Sequence, residues 1–177
     1  MAELCAEQGY EATKIADVVR RAHVARKTLY DNFSGKEELF LAAFDLAVAE
    51  AEAQITEACA PIDTEDWEAQ TETGLRALLE YIAAHPAEAK LCLVEAPAAG
   101  PGSAARYEAA MEAFIGRLRA AAPSSTGRPP TLEEALVGGT VWIVQREVRR
   151  DAAETTVDLL PELIQFLTSP YRGVGKR

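Results

Sequence analysis

Apolar residues recur at helical spacing along almost the whole chain, and the interruptions mark out the elements. Ile15, Val18, Val19 and Ala22 stand at i, i+3, i+4 and i+7, the stripe of a short amphipathic helix. Thr13 is placed to cap it, its hydroxyl taking an amide of the first turn that has no intrahelical partner. After a break at Ala22, His23 and Val24, Leu29 and Phe33 stand four apart on one side of a second short helix. Arg26, Lys27, Tyr30 and Asp31 therefore lie on its other side. Ser34 starts a third helix. From 35 to about 57, Leu39, Phe40, Phe44, Ala47, Val48 and Ala51 hold helical spacing in an alanine-rich run, which predicts one long rod.

Past Pro61, a helix from about residue 65 carries Trp67, Leu75, Leu78, Leu79 and Ile82 and stops near His85 and Pro86. A shorter helix is expected over 87–96, and another over about 103–121 with Tyr107, Met111, Phe114, Ile115 and Leu118. Residues 123–130 form the most loop-like stretch. Thr131 and Glu134 make a capping box for a helix from 132 to about 149. That helix holds Gly138 and Gly139 in its middle, where each costs roughly 1 kcal/mol relative to alanine, so close approach of another helix is expected there. A last helix over about 153–167 carries Val157, Leu160, Leu163, Ile164, Phe166 and Leu167, with Pro161 kinking it or setting its true start. No run alternates apolar and polar residues between turn signals. The class is all-α, with about nine helices.

Composition narrows the function classes. The 177 residues, 49% hydrophobic and 26% charged, suit a globular chain of one ordinary domain or a small domain joined to a larger one. No stretch approaches eighteen apolar residues without a charge, so no membrane partner is expected. No basic region precedes an apolar run and cleavage site, and the cytoplasm is the expected location. The net charge of −10 argues at first against nucleic acid, since affinity for a duplex comes largely from neutralised phosphates. Its distribution changes the picture: residues 1–44 hold six bases against seven acids, the remainder twelve against twenty-one. From Arg20 to Lys36 there are five basic side chains, and Asp31 is the one acid. A local positive stripe on an acidic body can dock to DNA while the body is repelled elsewhere.

Catalytic and metal chemistry find little support. Cys5, Cys59 and Cys92 lack metal or redox spacing, and His23 and His85 stand far apart with no neighbouring ligand pattern. There is no Glu-x-x-His pair, glycine-rich phosphate loop or nucleophile elbow. Neither an enzyme nor a cofactor is expected, and the thiols read as buried or indifferent.

A short helix that buries two apolar residues and offers a row of donors suits a major groove. Residues 8–40 resemble the N-terminal domain of tetracycline-repressor-like (TetR) transcriptional regulators. The matching motifs are Gly9 and Tyr10 after a first helix, Thr13 opening the second, Thr28, Leu29 and Tyr30 with Asn32 and Phe33 in the third, and Ser34 to Leu39 beginning a long fourth. Three positions depart from the pattern. His23 stands where the family turn has glycine, Ala25 where it has a capping Ser or Thr, and Lys27 where it has a small residue. Met1 falls where the family would already be mid-helix, so a short first helix and further native sequence before it are expected.

The resemblance implies a helix-turn-helix domain over 1–44 and a helical effector-binding and dimerisation domain over 45–177. It implies a homodimer on a palindromic operator, repression as the default, and release by a small-molecule effector. Arg26, Lys27 and Thr28 are carried over as base-edge contacts and Tyr30 as a phosphate contact, with Thr13 and Lys36 holding the DNA backbone. The last two helices would pair with their copies in a second subunit, through Leu136, Gly139, Ile143, Leu160, Leu163, Ile164 and Leu167; packing inside one subunit is the alternative. Trp67, Leu78, Tyr81, Tyr107, Met111, Phe114 and Trp142 are the candidate effector contacts, and their mixed character favours an apolar or amphipathic molecule. The rival reading is a helical ligand-binding or protein-interaction module that has lost DNA binding, suggested by His23, Ala25 and the short first helix.

Overall fold

The computed structural model describes residues 1–123 and 128–172, which hold nine α-helices, a π-helical turn and a 3-10 turn, with no strand among these described residues. Of the expected loop at 123–130, residues 124–127 lie outside them, and 123 and 128–130 are non-helical. Helices α1 (Ala2–Gln8), α2 (Ile15–Ala22) and α3 (Arg26–Asn32) pack with the first turns of α4 (Lys36–Cys59) around Leu4, Val18 and Leu29. Ile15, Val19, Phe33 and Leu39 close this small core, so the apolar stripes of both short helices are spent on it.

The ends of these helices differ from expectation for local reasons. Thr13 does not cap α2. Its own amide closes a turn onto Gly9 and Tyr10, so its hydroxyl points back and donates to the Gly9 carbonyl at 2.8 Å. The Asp17 carboxylate caps instead, accepting the Lys14 amide at 3.2 Å. His23 takes the left-handed conformation, φ 53° and ψ 34°, which the family gives to glycine. Ala25 has the extended backbone of a cap but no side-chain acceptor. Helix α4 starts at Lys36 rather than Ser34, and the Glu38 carboxylate reaches back to the Ser34 amide at 2.7 Å. Hydrogen bonding to Ser34, through its hydroxyl first and its amide second, holds the Glu38 carboxyl below its usual range.

Helix α4 runs 24 residues, about 36 Å at 1.5 Å per residue, out of the three-helix domain and along the body. Helix α5 (Trp67–Ala84) is capped by Asp66, which accepts the Ala69 amide at 3.1 Å, and packs back on α4. The stretch expected as one helix over 87–96 divides into α6 (Pro86–Lys90) and a π-helical turn (Leu91–Glu95), where the Ala96 amide bonds the Leu91 carbonyl at 2.9 Å. Helices α7 (Pro101–Ala121) and α8 (Leu132–Arg149) follow. No side chain caps α8: Thr131, at φ −94° and ψ 11°, lacks the extended backbone that would fold its hydroxyl over the first turn. The expected last helix is a 3-10 turn (Ala153–Leu159) and then α9 (Leu160–Arg172), with Pro161 inside its first turn, where its missing N–H costs nothing.

The body core is built from Leu75, Leu79 and Ile82 of α5, Leu136, Val144 and Val148 of α8, and Leu160, Leu163 and Leu167 of α9. Gly139 is explained inside this packing. A Cβ there would stand 3.2 Å from the Phe166 ring, so α8 and α9 approach at that glycine within one chain, while a Cβ at Gly138 would meet nothing within 4 Å.

Leu79 is fully buried, and Leu79→Ala is expected to cost roughly 2–5 kcal/mol in a urea titration. Ala25→Ser supplies the missing acceptor and should raise stability by about 1 kcal/mol in the same measurement.

Candidate nucleic-acid interface and effector cavity

Leu29 anchors α3 inward, and the opposite edge faces solvent: Arg26, Lys27, Thr28, Tyr30 and Asp31 are all exposed, Tyr30 by 45%. The Arg26 guanidinium lies 5.5 Å from the Tyr30 ring centroid and 3.4 Å from its hydroxyl, so the two form one stacked unit at i and i+4. Asn32 folds back on the Thr28 carbonyl at 2.8 Å and tightens the end of the helix.

The basic stripe is thinner than a count of charges suggests. Arg20 is paired with Asp17 at 2.7 Å, and Arg21 with Glu3 and Glu7 at 2.9 and 2.7 Å. Lys36 is half-buried, donates to the Tyr10 and Glu11 carbonyls at 3.0 and 3.4 Å, and stands 4.1 Å from the Tyr10 ring. Arg26 and Lys27 carry the outward positive charge on α3. Thr13 is not at this surface: it is 1% exposed, so it positions the start of α2 rather than presenting a hydroxyl.

Glu95, in the π-helical turn, holds the three-helix domain to the body. Its Oε2 accepts the Tyr10 amide at 2.7 Å. The approach depends on Gly9, whose φ of 81° and ψ of 161° are essentially confined to glycine. Around this bond Cys5, Tyr10, Phe40, Phe44 and Leu91 form an apolar seam between domain and body, with Tyr10 and Phe40 edge to face at 4.7 Å. Sequence reading missed Glu95, because a single Glu in a helical run carries no signal of a contact 85 positions away. On its other side the turn is held by Gln145 of α8, which donates to the Leu93 carbonyl.

A cavity of about 210 Å³ lies in the body, walled by α4, α5, α7, α8 and the same π-helical turn. Leu78, Tyr81, Tyr107, Met111 and Phe114 line it, together with Phe44, Cys92 and Leu93. Two expected contacts lie elsewhere. Trp67 packs on Tyr171 with ring centroids 5.1 Å apart, and Trp142 is 60% exposed on the outer side of α8, beside a groove with Glu108, Glu112 and Glu134. Helical phase is the cause: position 142 lies off the stripe of Val137, Val144 and Val148 that turns inward.

The residues expected at a subunit interface also divide. Leu136, Leu160, Leu163 and Leu167 are buried in the chain's own core, whereas Gly139, Ile143 and Ile164 are half-buried. The outward apolar side chains of α8 and α9 are Trp142 and Phe166, which sequence periodicity had not separated from the core positions.

The sequence model of the bacterial regulatory proteins of the tetR family matches residues 2–43, the segment that forms α1 to α3 and the start of α4. Over that segment the chain is similar to the N-terminal domain of this family. The likeness in fold extends through the body. A solved structure of the fatty acid degradation regulator FadR from Bacillus halodurans superposes with a TM-score of 0.75 at 18% identity, covering 99% of this chain and 93% of that one. No curated protein matches by sequence.

Burial pushes the Cys92 thiol up to about 12, with Glu88 adding to the shift, and burial also raises Cys5 and Cys59. Iodoacetamide at pH 8 should therefore label the native protein far more slowly than the urea-unfolded chain. Glu95→Ala should cost roughly 1–3 kcal/mol, the scale of a hydrogen bond to a charged group, and hydrogen exchange should quicken at residues 9–13 but not in α8.

Proposed function

We propose that this protein is a TetR-family repressor that binds a palindromic operator as a homodimer and is released by a small molecule held in the body cavity. The observation that carries the reading is the outward edge of α3, where Arg26, Lys27, Thr28 and Tyr30 stand exposed on a helix whose inner face is fixed by Leu29. Arg26 and Lys27, at the first turn, suit base edges, and Tyr30 suits a phosphate. Lys36 reaches the DNA backbone only with what its bonds to Tyr10 and Glu11 leave free, so it serves binding by fixing the loop before α2 as much as by its charge.

One such helix makes too few contacts, and a twofold pair presents two to successive turns of the groove. Trp142 and Phe166, exposed on adjacent helices near Gly139, suit the centre of the pairing surface. The effector reading rests on position. Phe44 and Cys92 line the cavity on one side and belong to the seam that fixes the N-terminal domain on the other. A ligand that favours one placement of these residues shifts the spacing of the two recognition helices. The FadR structure, a fatty acid degradation regulator of the same fold, supports a regulator of this design.

Gel shifts with a duplex selected from a random library test the proposal. Affinity should fall steeply with salt, in proportion to the phosphates neutralised. Tyr30→Ala should weaken binding to every sequence, while Arg26→Ala should also relax sequence choice by roughly 1–3 kcal/mol at one position. Uniform losses for both variants would refute the division of roles. Absence of any salt-sensitive binding would favour a ligand-binding module without DNA contact. Trp142→Glu should yield monomers in sedimentation if the pairing surface is placed correctly.

A further inference from the structure

Gly138 is the residue of α8 that packing within one chain leaves unexplained. A mid-helix glycine weakens a helix relative to alanine, and here a Cβ would meet nothing within 4 Å. Its place in a row of side chains supplies a reason. Glu134, Gly138, Trp142 and Arg146 follow one another at intervals of four, so they form a single ridge along α8, about 18 Å long at 1.5 Å per residue. The first three are exposed and Arg146 is half-buried.

Beside this ridge runs the groove between α7 and α8. Met111, Val137 and Val141 give it an apolar lining, Glu108, Glu112 and Glu134 give it an acidic rim, and Gly138 leaves a notch in its α8 wall. One turn further along the ridge stands a knob of opposite character. Trp142 is 60% exposed, and the Arg146 guanidinium lies 5.6 Å from its ring centroid. Arg146 is otherwise held only by its sequence neighbour Glu147, at 2.8 Å, and Arg149, exposed on the next turn, adds positive charge at the same end. Knob and notch sit on one helix, yet the ring leaves its own glycine open.

We infer that this groove takes the Trp142 ring of a second copy of the chain, in one antiparallel register that sets each Trp142 over the other copy's Gly138 and each Arg146 against the other copy's Glu134. The inference rests on the homodimer reading and specifies its register. Twofold pairing demands that if one residue meets another, the second also meets the first across the axis. The ridge meets that demand by itself: set against its reverse, acid faces base at both ends and glycine faces tryptophan twice in the middle. Two ridges of this spacing lie side by side when their helices cross near about −50°, a common angle of helix packing. The buried aromatic anchor supplies strength, and the charged ends supply register and choice of partner. They also answer a difficulty of this chain. Each copy carries a net charge of −10, so two copies repel at a distance, and arginines set toward an acidic rim offset that repulsion where the surfaces meet.

Sedimentation velocity of the full chain across a concentration series tests the register. The wild type should sediment as a dimer, and Glu134→Arg and Arg146→Glu should each weaken self-association by roughly tenfold or more, because symmetry repeats every like-charge contact. An equimolar mixture of these two variants should recover the dimer, since each chain then offers the charge that the other lacks. Gly138→Gln should yield monomers while circular dichroism shows undiminished helix, because its side chain has open space within one chain and an occupied notch only in the pair. A wild-type dimer indifferent to all three variants would overturn the register and leave the homodimer reading standing. Variants that dissociate without recovery on mixing would do the same. A wild type that stays monomeric overturns both and leaves the groove to a different partner.

Discussion

A DNA-reading edge is useful only if something fixes its direction, and here that constraint falls on one carboxylate. Helix α3 is seven residues long and its domain has a core of a few side chains, so the domain cannot set its own angle to the body. The angle comes from the seam around Phe40 and Phe44 and from Glu95 accepting the Tyr10 amide. The apolar seam is non-directional and supplies adhesion. The hydrogen bond is directional and supplies registration. Gly9 allows both, since its backbone conformation turns the Tyr10 amide toward the body.

Electrostatics works against the molecule's bulk and in favour of its edge. The acidic body repels a duplex, while the surface pairs of Arg20 and Arg21 and the carbonyl contacts of Lys36 place half of the six N-terminal cations in structural service. What remains outward on α3 is a pair of side chains at its first turn, Arg26 and Lys27. Few free cations leave a single edge little nonspecific affinity, and in the proposed homodimer the weight of recognition falls on correct pairing of two edges.

The sequence made the all-α class, the likeness of the N-terminal domain and the exposed face of α3 legible, because each rests on spacing within a few turns of helix. Thr28 to Phe33 reads as an outward row on an inward pair without any distant contact. Periodicity failed where two faces of one helix are both apolar. On α8 and α9, Leu136 and Leu163 turn into the chain's own core while Trp142 and Phe166 face out, and hydropathy alone does not rank them. Thr13 and Thr131 failed as caps for local backbone reasons: α2 begins one residue later, with Lys14 as its N-cap and Thr13 bonded back to Gly9, and Thr131 lacks the extended backbone that a capping hydroxyl needs. Glu95 and Gln145 act across long separations in sequence and left no local trace.

The π-helical turn makes the molecule sensitive to its own residue count. A π turn holds one more residue than the α-helix it interrupts, and each helical residue advances the azimuth by about 100°. Loss of one position between Leu91 and Glu95 would let the segment relax to ordinary helix and swing every later side chain around the axis. Glu95 would then face away from Tyr10, and the domain would lose its bearing while every helix stayed intact. Function in this chain is therefore more fragile to a deletion there than to most substitutions anywhere else in the body.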